Sequence, residues 1–145
     1  MSRHFTLQEA EELLPRIEQL IRTAVEARSE AAGHEGALER VTSRITYMGG
    51  VEIDPADYAQ RKWLKRSAEV ALQQAAEEIH AAGVLIKDIE IGLVDFPALL
   101  DGREVLLCWK LGEPRIDHWH GVEEGFGSRK PITSEFGPRT ISRPN

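Results

Sequence analysis

The chain has 145 residues, of which 41% are hydrophobic and 29% charged, an ordinary balance for one globular domain. Its net charge of −6 argues against broad binding to nucleic acid or to anionic membranes, because both need a basic surface. Cys108 is the single cysteine, which excludes an internal disulfide. The chain shows no apolar signal segment and no run long enough to span a bilayer, so we expect a cytoplasmic protein.

Helical patterns dominate the first half of the chain. A capping box over Thr6-Leu-Gln-Glu9 predicts the start of a first helix, and apolar residues then recur every three or four positions. Pro15 lies inside this run and predicts a kink or a restart. The segment Gly33 to Gly36 is expected to end the helix. A short second helix is predicted over 38–48, with Gly49-Gly50 as its stop.

A third helix is predicted to begin at Asp54-Pro55, because aspartate caps helices and proline suits their first position. Gly83 is its expected C-cap. The first and third helices would each have about 26–28 residues, or roughly 40 Å, and matched lengths predict an antiparallel pair. Their apolar stripes can be buried within one chain or in a coiled coil between two chains. We expect a homodimer, since residues 55–82 are long relative to the β-module that would cover them.

Residues 83–131 have the pattern of a small antiparallel β-meander. Short extended segments are predicted over Val84–Ile86 and Ile89–Ile91. Asp101-Gly102 is a strong signal for a two-residue hairpin. That turn predicts three pairs between the strands on either side of it: Leu100 with Arg103, Phe96 with Leu107, and Asp95 with Cys108.

Alternation separates this hairpin into two faces. The apolar face is expected to pack on the helices and contains Val94, Phe96, Ala98, Leu100, Val105, Leu107 and Trp109. The opposite face, here called the mixed face, contains Asp95, Pro97, Leu99, Glu104, Leu106, Cys108 and Lys110. Pro97 cannot donate a ladder hydrogen bond, so it predicts an edge strand or a bulge.

A third strand is predicted over Arg115 to His120, and it can pair in two registers. A three-residue loop places His118 opposite Cys108 and brings both histidines onto the mixed face with Asp95. A two-residue loop turns both histidines to the apolar face. The sequence leaves this choice open.

The mixed face is a candidate metal site. Histidine, cysteine and aspartate together suit zinc, which takes nitrogen, sulfur and oxygen ligands in a tetrahedron. The structural alternative pairs Asp95 with Lys110 and treats Cys108 as a small buried residue and His120 as a hydrogen-bonded histidine. The candidate ligands for zinc are Asp95, His118, His120 and Glu124.

A second candidate site would bind a small anion between the sheet and the helices, using Lys87, Arg103 and Arg129. Alternatively, these groups form ion pairs that fix the loops. No local Ser-His-Asp or Cys-His unit is present. We therefore predict a non-enzymatic interaction or regulatory protein that self-associates or binds an unidentified protein partner, with a metal-binding protein or metal-dependent hydrolase and a small-anion binder as alternatives.

Together these patterns predict one α+β domain, a long antiparallel helical pair with a short middle helix packed on a small antiparallel β-meander. The helical half is expected over 6–82 and the β-module over 83–131. A basic, flexible tail is expected over 132–145.

Several motifs resemble those of a known family. They are Phe5-Thr6 with Leu13-Leu14-Pro15, the run from Lys87 to Pro97, the run from Gly102 to Glu113, and Trp119-His120. Together they resemble the bacterial domain-of-unknown-function family 2203. The resemblance implies a small cytoplasmic protein of helices and a β-meander, and it implies no reaction. His118 and Gly121 depart from the family's pattern, which has an aromatic and an acidic residue there, and this weakens His118 as a shared ligand.

Overall fold

The computed structural model describes residues 3–48 and 54–138, with side chains except at 46–48. It has two helices, α1 (Leu7–Met48) and α2 (Pro55–Ala81), and one five-stranded antiparallel sheet. This α+β architecture confirms the predicted fold class. The strands lie in chain order across the sheet: β1 (Leu85–Asp88), β2 (Leu93–Leu100), β3 (Arg103–Lys110), β4 (His118–Gly121) and β5 (Lys130–Pro131).

Helix α1 is one element of 42 residues, so the predicted break at Gly33 to Gly36 and the separate middle helix are wrong. Neither glycine adopts a positive φ. A glycine within a helix costs only about 1 kcal/mol relative to alanine, and contacts with α2 flank this segment, where Lys65 forms an ion pair with Glu35. The helix also passes Pro15 without a restart. The stop predicted at Gly49-Gly50 lies outside the described residues.

Helix α2 begins as predicted. The Asp54 carboxylate accepts a hydrogen bond from the Ala56 N–H at 2.9 Å, and Pro55 occupies the first turn. The helix ends at Ala81, and Gly83 follows with a φ of +94° that favours glycine. Neither helix, within the described ranges, has the length and apolar character needed to cross a membrane.

The two helices run antiparallel to each other. Arg16 near the start of α1 bonds Glu78 near the end of α2, while His34 lies 3.2 Å from Arg61 near the start of α2. Fully buried side chains occur only up to Ala27 in α1 and only from Ala68 in α2, among the residues described. The hairpin therefore has a core-packed end and a projecting end, defined as residues 28–48 and 54–67.

The core lies between the packed end of the hairpin and the apolar face of the sheet, as predicted. Phe5 meets Phe96 edge-on, with ring centroids 5.5 Å apart. All seven predicted residues face this core, and Leu100 alone is only partly buried. The helical contribution comes mainly from one stripe of α1: Leu7, Ala10, Leu14, Ile17, Leu20 and Ile21.

The hairpin register is confirmed at each predicted pair. Asp101 and Gly102 have φ values of +51° and +78°, the conformation of a type I′ turn. The prediction of an edge at Pro97 is wrong for the strand as a whole, since β2 lies between β1 and β3. Proline is tolerated because the β1 pairing ends at Asp95, and beyond it the Phe5 N–H donates to the Pro97 carbonyl at 2.7 Å.

Two predicted strand boundaries are wrong. Ile89–Ile91 forms a turn, because the Asp88 carboxylate accepts from the Glu90 N–H at 2.9 Å and Gly92 takes a φ of +68°. The third strand starts at His118 rather than Arg115. The residues before it serve other contacts, since Ile116 is buried in the core.

The tail predicted over 132–145 is described as far as residue 138. Its first part contacts the sheet: the Ile132 N–H donates to the Asp117 carbonyl at 2.9 Å, and the Phe136 ring lies 5.5 Å from that of Trp119. The prediction for 139–145 lies outside the described residues.

Candidate metal site

The register of β4 fixes which side chains share the mixed face. His118 lies opposite Cys108 and His120 lies opposite Leu106, the pairing expected from the three-residue loop. Both histidines therefore project from the same face as Asp95. The choice left open by the sequence is settled in favour of the register that gathers polar groups.

Three of these side chains form a compact group, here called the Asp-Cys-His cluster: Asp95 on β2, Cys108 on β3 and His120 on β4. One potential ligand atom from each lies within 4.8 Å of the other two. The relative exposures are 0%, 0% and 4%, so the cluster is shielded from water. Three neighbouring strands supply one group each, which makes the arrangement rigid.

The hydrogen bonds of His120 constrain its protonation. Its Nδ1 lies 2.9 Å from the Gly121 carbonyl oxygen and its Nε2 lies 3.1 Å from Asp95 Oδ1. A neutral imidazole has one N–H, and these two partners are oxygens. Three arrangements satisfy both contacts: a protonated ring, a proton on Asp95, or a cation between Nε2 and the carboxylate. In the third, Nδ1–H donates to a backbone carbonyl, as it does in many metal-binding histidines.

Asp95 is the member of the cluster that has a buried polar atom without a hydrogen bond. Its Oδ2 atom is buried and has no hydrogen-bond partner. An unsatisfied buried polar group costs about 1–3 kcal/mol, and more when it is charged. The predicted pairing with Lys110 is not what satisfies this carboxylate, since its ion pair is with His120. A bound cation would satisfy the free oxygen.

Cys108 completes the cluster as a protonated thiol. Burial, and after it the neighbouring Asp95 carboxylate, raise the pKa of the Cys108 thiol to about 12. A thiol with so high a pKa and no exposure is a poor nucleophile. A metal ion reverses this preference, because a coordinating thiol is deprotonated outright.

An ion pair lies next to Cys108, outside the cluster. Arg129 Nη2 donates to both Glu113 oxygens, at 2.7 and 2.9 Å, and also lies 3.3 Å from the Cys108 carbonyl. The same carboxylate accepts from the Lys110 N–H at 2.7 Å. Sequence reasoning missed this pair, whose members are 16 residues apart.

The other two predicted metal ligands lie beside the cluster rather than within it. His118 is half-exposed, and its Nδ1 is 3.8 Å from a Glu113 oxygen. Glu124 accepts hydrogen bonds from Lys130 and from the Gly121 N–H, and these partners hold the pKa of its carboxyl below the ordinary value. Cys108 takes the third position of the cluster instead.

The three residues predicted to bind an anion lie apart. Lys87 lines an open groove that contains neither Arg103 nor Arg129. Arg103 is exposed next to the hairpin turn, and Arg129 is engaged by Glu113.

Fold and cluster together define a small α+β protein in which a helical hairpin covers one face of a five-stranded meander. The other face holds a buried group of three potential metal ligands. A family model described as "Uncharacterized conserved protein (DUF2203)" matches residues 3–132. The chain belongs to this family, which confirms the resemblance seen in its motifs. Comparisons with curated proteins and with solved structures find no match.

Proposed function

We propose that this protein binds one zinc ion through Asp95, Cys108 and His120. The observation that carries the proposal is the fully buried Asp95 carboxylate, which has one oxygen on His120 Nε2 and the other without a partner. A cation at this point would satisfy the free oxygen, and it is one of the three arrangements that fit both oxygen contacts of His120.

The donor set suits zinc in particular. Oxygen, nitrogen and sulfur ligands are those that zinc accepts, at about 2.0–2.3 Å. In a tetrahedron of that size, nitrogen and oxygen ligands are about 3.3 Å apart, and the distance from His120 Nε2 to Asp95 Oδ1 is 3.1 Å. Calcium and magnesium would not select a thiol.

The burial of the cluster supports a role for zinc in stabilising or regulating the β-module. Three protein ligands leave the fourth position of the zinc tetrahedron to a water molecule, and because the three ligands are almost without exposure, that position is shielded from a substrate. A metal-dependent hydrolase is therefore the less favoured alternative. The cytoplasmic location stays a prediction from the sequence.

The test is metal content together with thermal stability. Protein purified from zinc-supplemented cells is expected to contain about one zinc per chain, and the variants Cys108→Ser and His120→Gln are expected to lose it. His118→Gln is the matched control, because it removes a histidine of the same face outside the cluster. Absence of stoichiometric metal, with no rise in Tm on adding zinc, would refute the proposal.

A second candidate function, self-association, rests on exposed apolar residues along α2, starting in the projecting end of the hairpin. Trp63 is 66% exposed and Val70 is 36% exposed, seven residues apart on α2. Seven residues make two helical turns, so both side chains lie on one face, the spacing that coiled coils use. We infer a homodimer that buries this face, with a non-enzymatic scaffolding role.

Light scattering at increasing protein concentration tests this inference. The wild-type chain is expected to have twice the monomer mass, and Trp63→Glu is expected to have the monomer mass. Lys62→Glu is the control for the added charge, since it changes a neighbouring position on another face. A wild-type monomer at high concentration would exclude the homodimer.

A further inference from the structure

The mixed face has a second feature beside the cluster, an open groove of about 360 Å³. Small-molecule sites usually have volumes of about 300–1,000 Å³. The groove lies between the end of α2, strands β1 to β3 and the loop after β4. It involves none of the three proposed zinc ligands, so it is a separate site.

Apolar side chains line part of the groove, and they are here called its floor. Its side chains come from four different segments and include two that are exposed although they are aliphatic, Leu85 and Val122. Exposed apolar surface within a concave site favours binding of an apolar group. The floor residues are Val84, Leu85, Pro97, Leu106 and Val122.

Three basic side chains also line the groove: Arg3, His80 and Lys87. The Arg3 guanidinium is held in place, since it lies 4.2 Å from the centre of the Phe5 ring and donates to the Ala82 carbonyl at 3.4 Å. Neither Lys87 nor His80 has a side-chain hydrogen bond or ion pair within the part of the chain that the structure describes.

One acidic side chain, Glu104, also lines the groove, against two side chains that carry a positive charge, Arg3 and Lys87. Glu104 is paired with His4, whose Nε2 lies 2.7 Å from the carboxylate. The protein as a whole has a net charge of −6, so a groove lined by more cationic than anionic side chains contrasts with the rest of its surface. Cations next to an apolar floor are complementary to a ligand with an anionic head and an apolar body.

We propose that the groove binds a small amphipathic anion, a medium-chain molecule with a carboxylate or phosphate head. The head group contacts Lys87 and Arg3, and the apolar chain lies along Leu106 and Val122. Lys87, which the sequence placed in an anion site with Arg103 and Arg129, acts here with Arg3 and His80 instead. This binding does not depend on zinc.

Titration monitored by amide NMR tests the proposal, with octanoate and octyl phosphate as the anionic probes. We expect saturable shifts at Lys87, Leu106 and Val122, and the stronger of the two probes identifies the preferred head group. Octanol and octylamine, which have the same chain without a negative charge, are expected to bind at least about tenfold more weakly, the fold-change for losing one charge-assisted hydrogen bond.

Two variants locate the interaction. Lys87→Gln is expected to weaken binding by about tenfold, while Lys62→Gln, an exposed lysine on α2, is expected to have no effect. Val122→Asp places a negative charge at an exposed position of the floor, so it should abolish binding without affecting the fold. Equal affinity for octanol and octanoate, an unchanged affinity in Lys87→Gln, or no binding of either anion would overturn the proposal.

Discussion

The projecting end of the hairpin and the β-module are held together in different ways. The projecting end has no fully buried side chain among the residues described, and its inter-helix contacts include ion pairs such as Lys65 with Glu35. The β-module buries apolar residues on one face and a carboxylate, a thiol and an imidazole on the other.

The polar groups of the two regions differ in their energetic cost. Surface ion pairs contribute little to stability, about 0–1 kcal/mol each, so the polar residues of the projecting end need no special explanation. A buried carboxylate with a free oxygen does need one. The two regions should therefore respond very differently to mutation and to metal.

The largest expected contrast is between two tryptophans. Trp109 is fully buried in the core, and Trp109→Ala should reduce the free energy of unfolding by about 3–5 kcal/mol. Trp63 is exposed on α2, and Trp63→Ala should change monomer stability by less than about 0.5 kcal/mol. Urea denaturation at low protein concentration measures both. Similar losses from the two variants would contradict the division into two regions.

The next contrast concerns two arginines within the β-module. Arg129→Ala leaves Glu113 without its partner in a mostly buried position and should cost about 2–3 kcal/mol. Arg115→Ala removes an exposed ion pair with Asp117 and should cost less than about 1 kcal/mol. Thermal unfolding of both variants provides the comparison, and equal effects would show that burial does not make the Glu113–Arg129 pair more important than an exposed one.

Cys108 predicts a pH dependence for the metal-free protein. Its thiol ionises near 9.0 in the unfolded chain and at about 12 in the native protein. Because the native pKa is the higher one, the stability linked to this group is present below pH 9.0 and is lost as the pH rises towards 12. The denaturation midpoint of the wild-type protein should fall across this pH range, and the midpoint of Cys108→Ala should fall less steeply. An equal pH dependence of the denaturation midpoint in the wild-type protein and in Cys108→Ala would show that the Cys108 thiol does not contribute to it.

The smallest expected effect lies in the projecting end. Gly33 has an ordinary helical conformation, and a Cβ added there would meet nothing within 4 Å. Gly33→Ala should therefore raise the free energy of unfolding by about 0.5–1 kcal/mol. If the variant were instead destabilised, that result would indicate that helix α1 is interrupted near Gly33, as the sequence had predicted. Urea denaturation is sensitive enough to show the sign.

Part of the fold was predictable because it depends on interactions between residues that are close in the sequence. The Asp101-Gly102 turn needs a positive φ at both positions, so its sequence determined the register of β2 and β3. The N-terminal caps of both helices likewise join residues that are close in the sequence. The continuity of α1 was not predictable in this way, because contacts with residues of α2 on the far side of the hairpin compensate for its two glycines.

The sequence predicted the mixed face but left one feature of the site undecided, the register of β4. Sequence placed Asp95 opposite Cys108, but the register of β4 depends on the loop between β3 and β4, where the Trp109 indole donates to the Glu113 carbonyl at 3.0 Å. The role of Gly121 was also hidden, since its backbone oxygen, rather than a side chain, orients His120. A contact made by a backbone oxygen can come from any residue type, so the sequence does not reveal it.

Cobalt substitution tests the zinc site most directly. Cobalt(II) bound in place of zinc reports its ligands through its absorption spectrum, including a thiolate-to-metal charge-transfer band. We expect the wild-type protein to show that band together with the strong visible bands of tetrahedral cobalt, and Cys108→Ser to lack the charge-transfer band while His118→Gln retains it. A wild-type spectrum identical to that of hydrated cobalt would contradict a metal site at Asp95, Cys108 and His120.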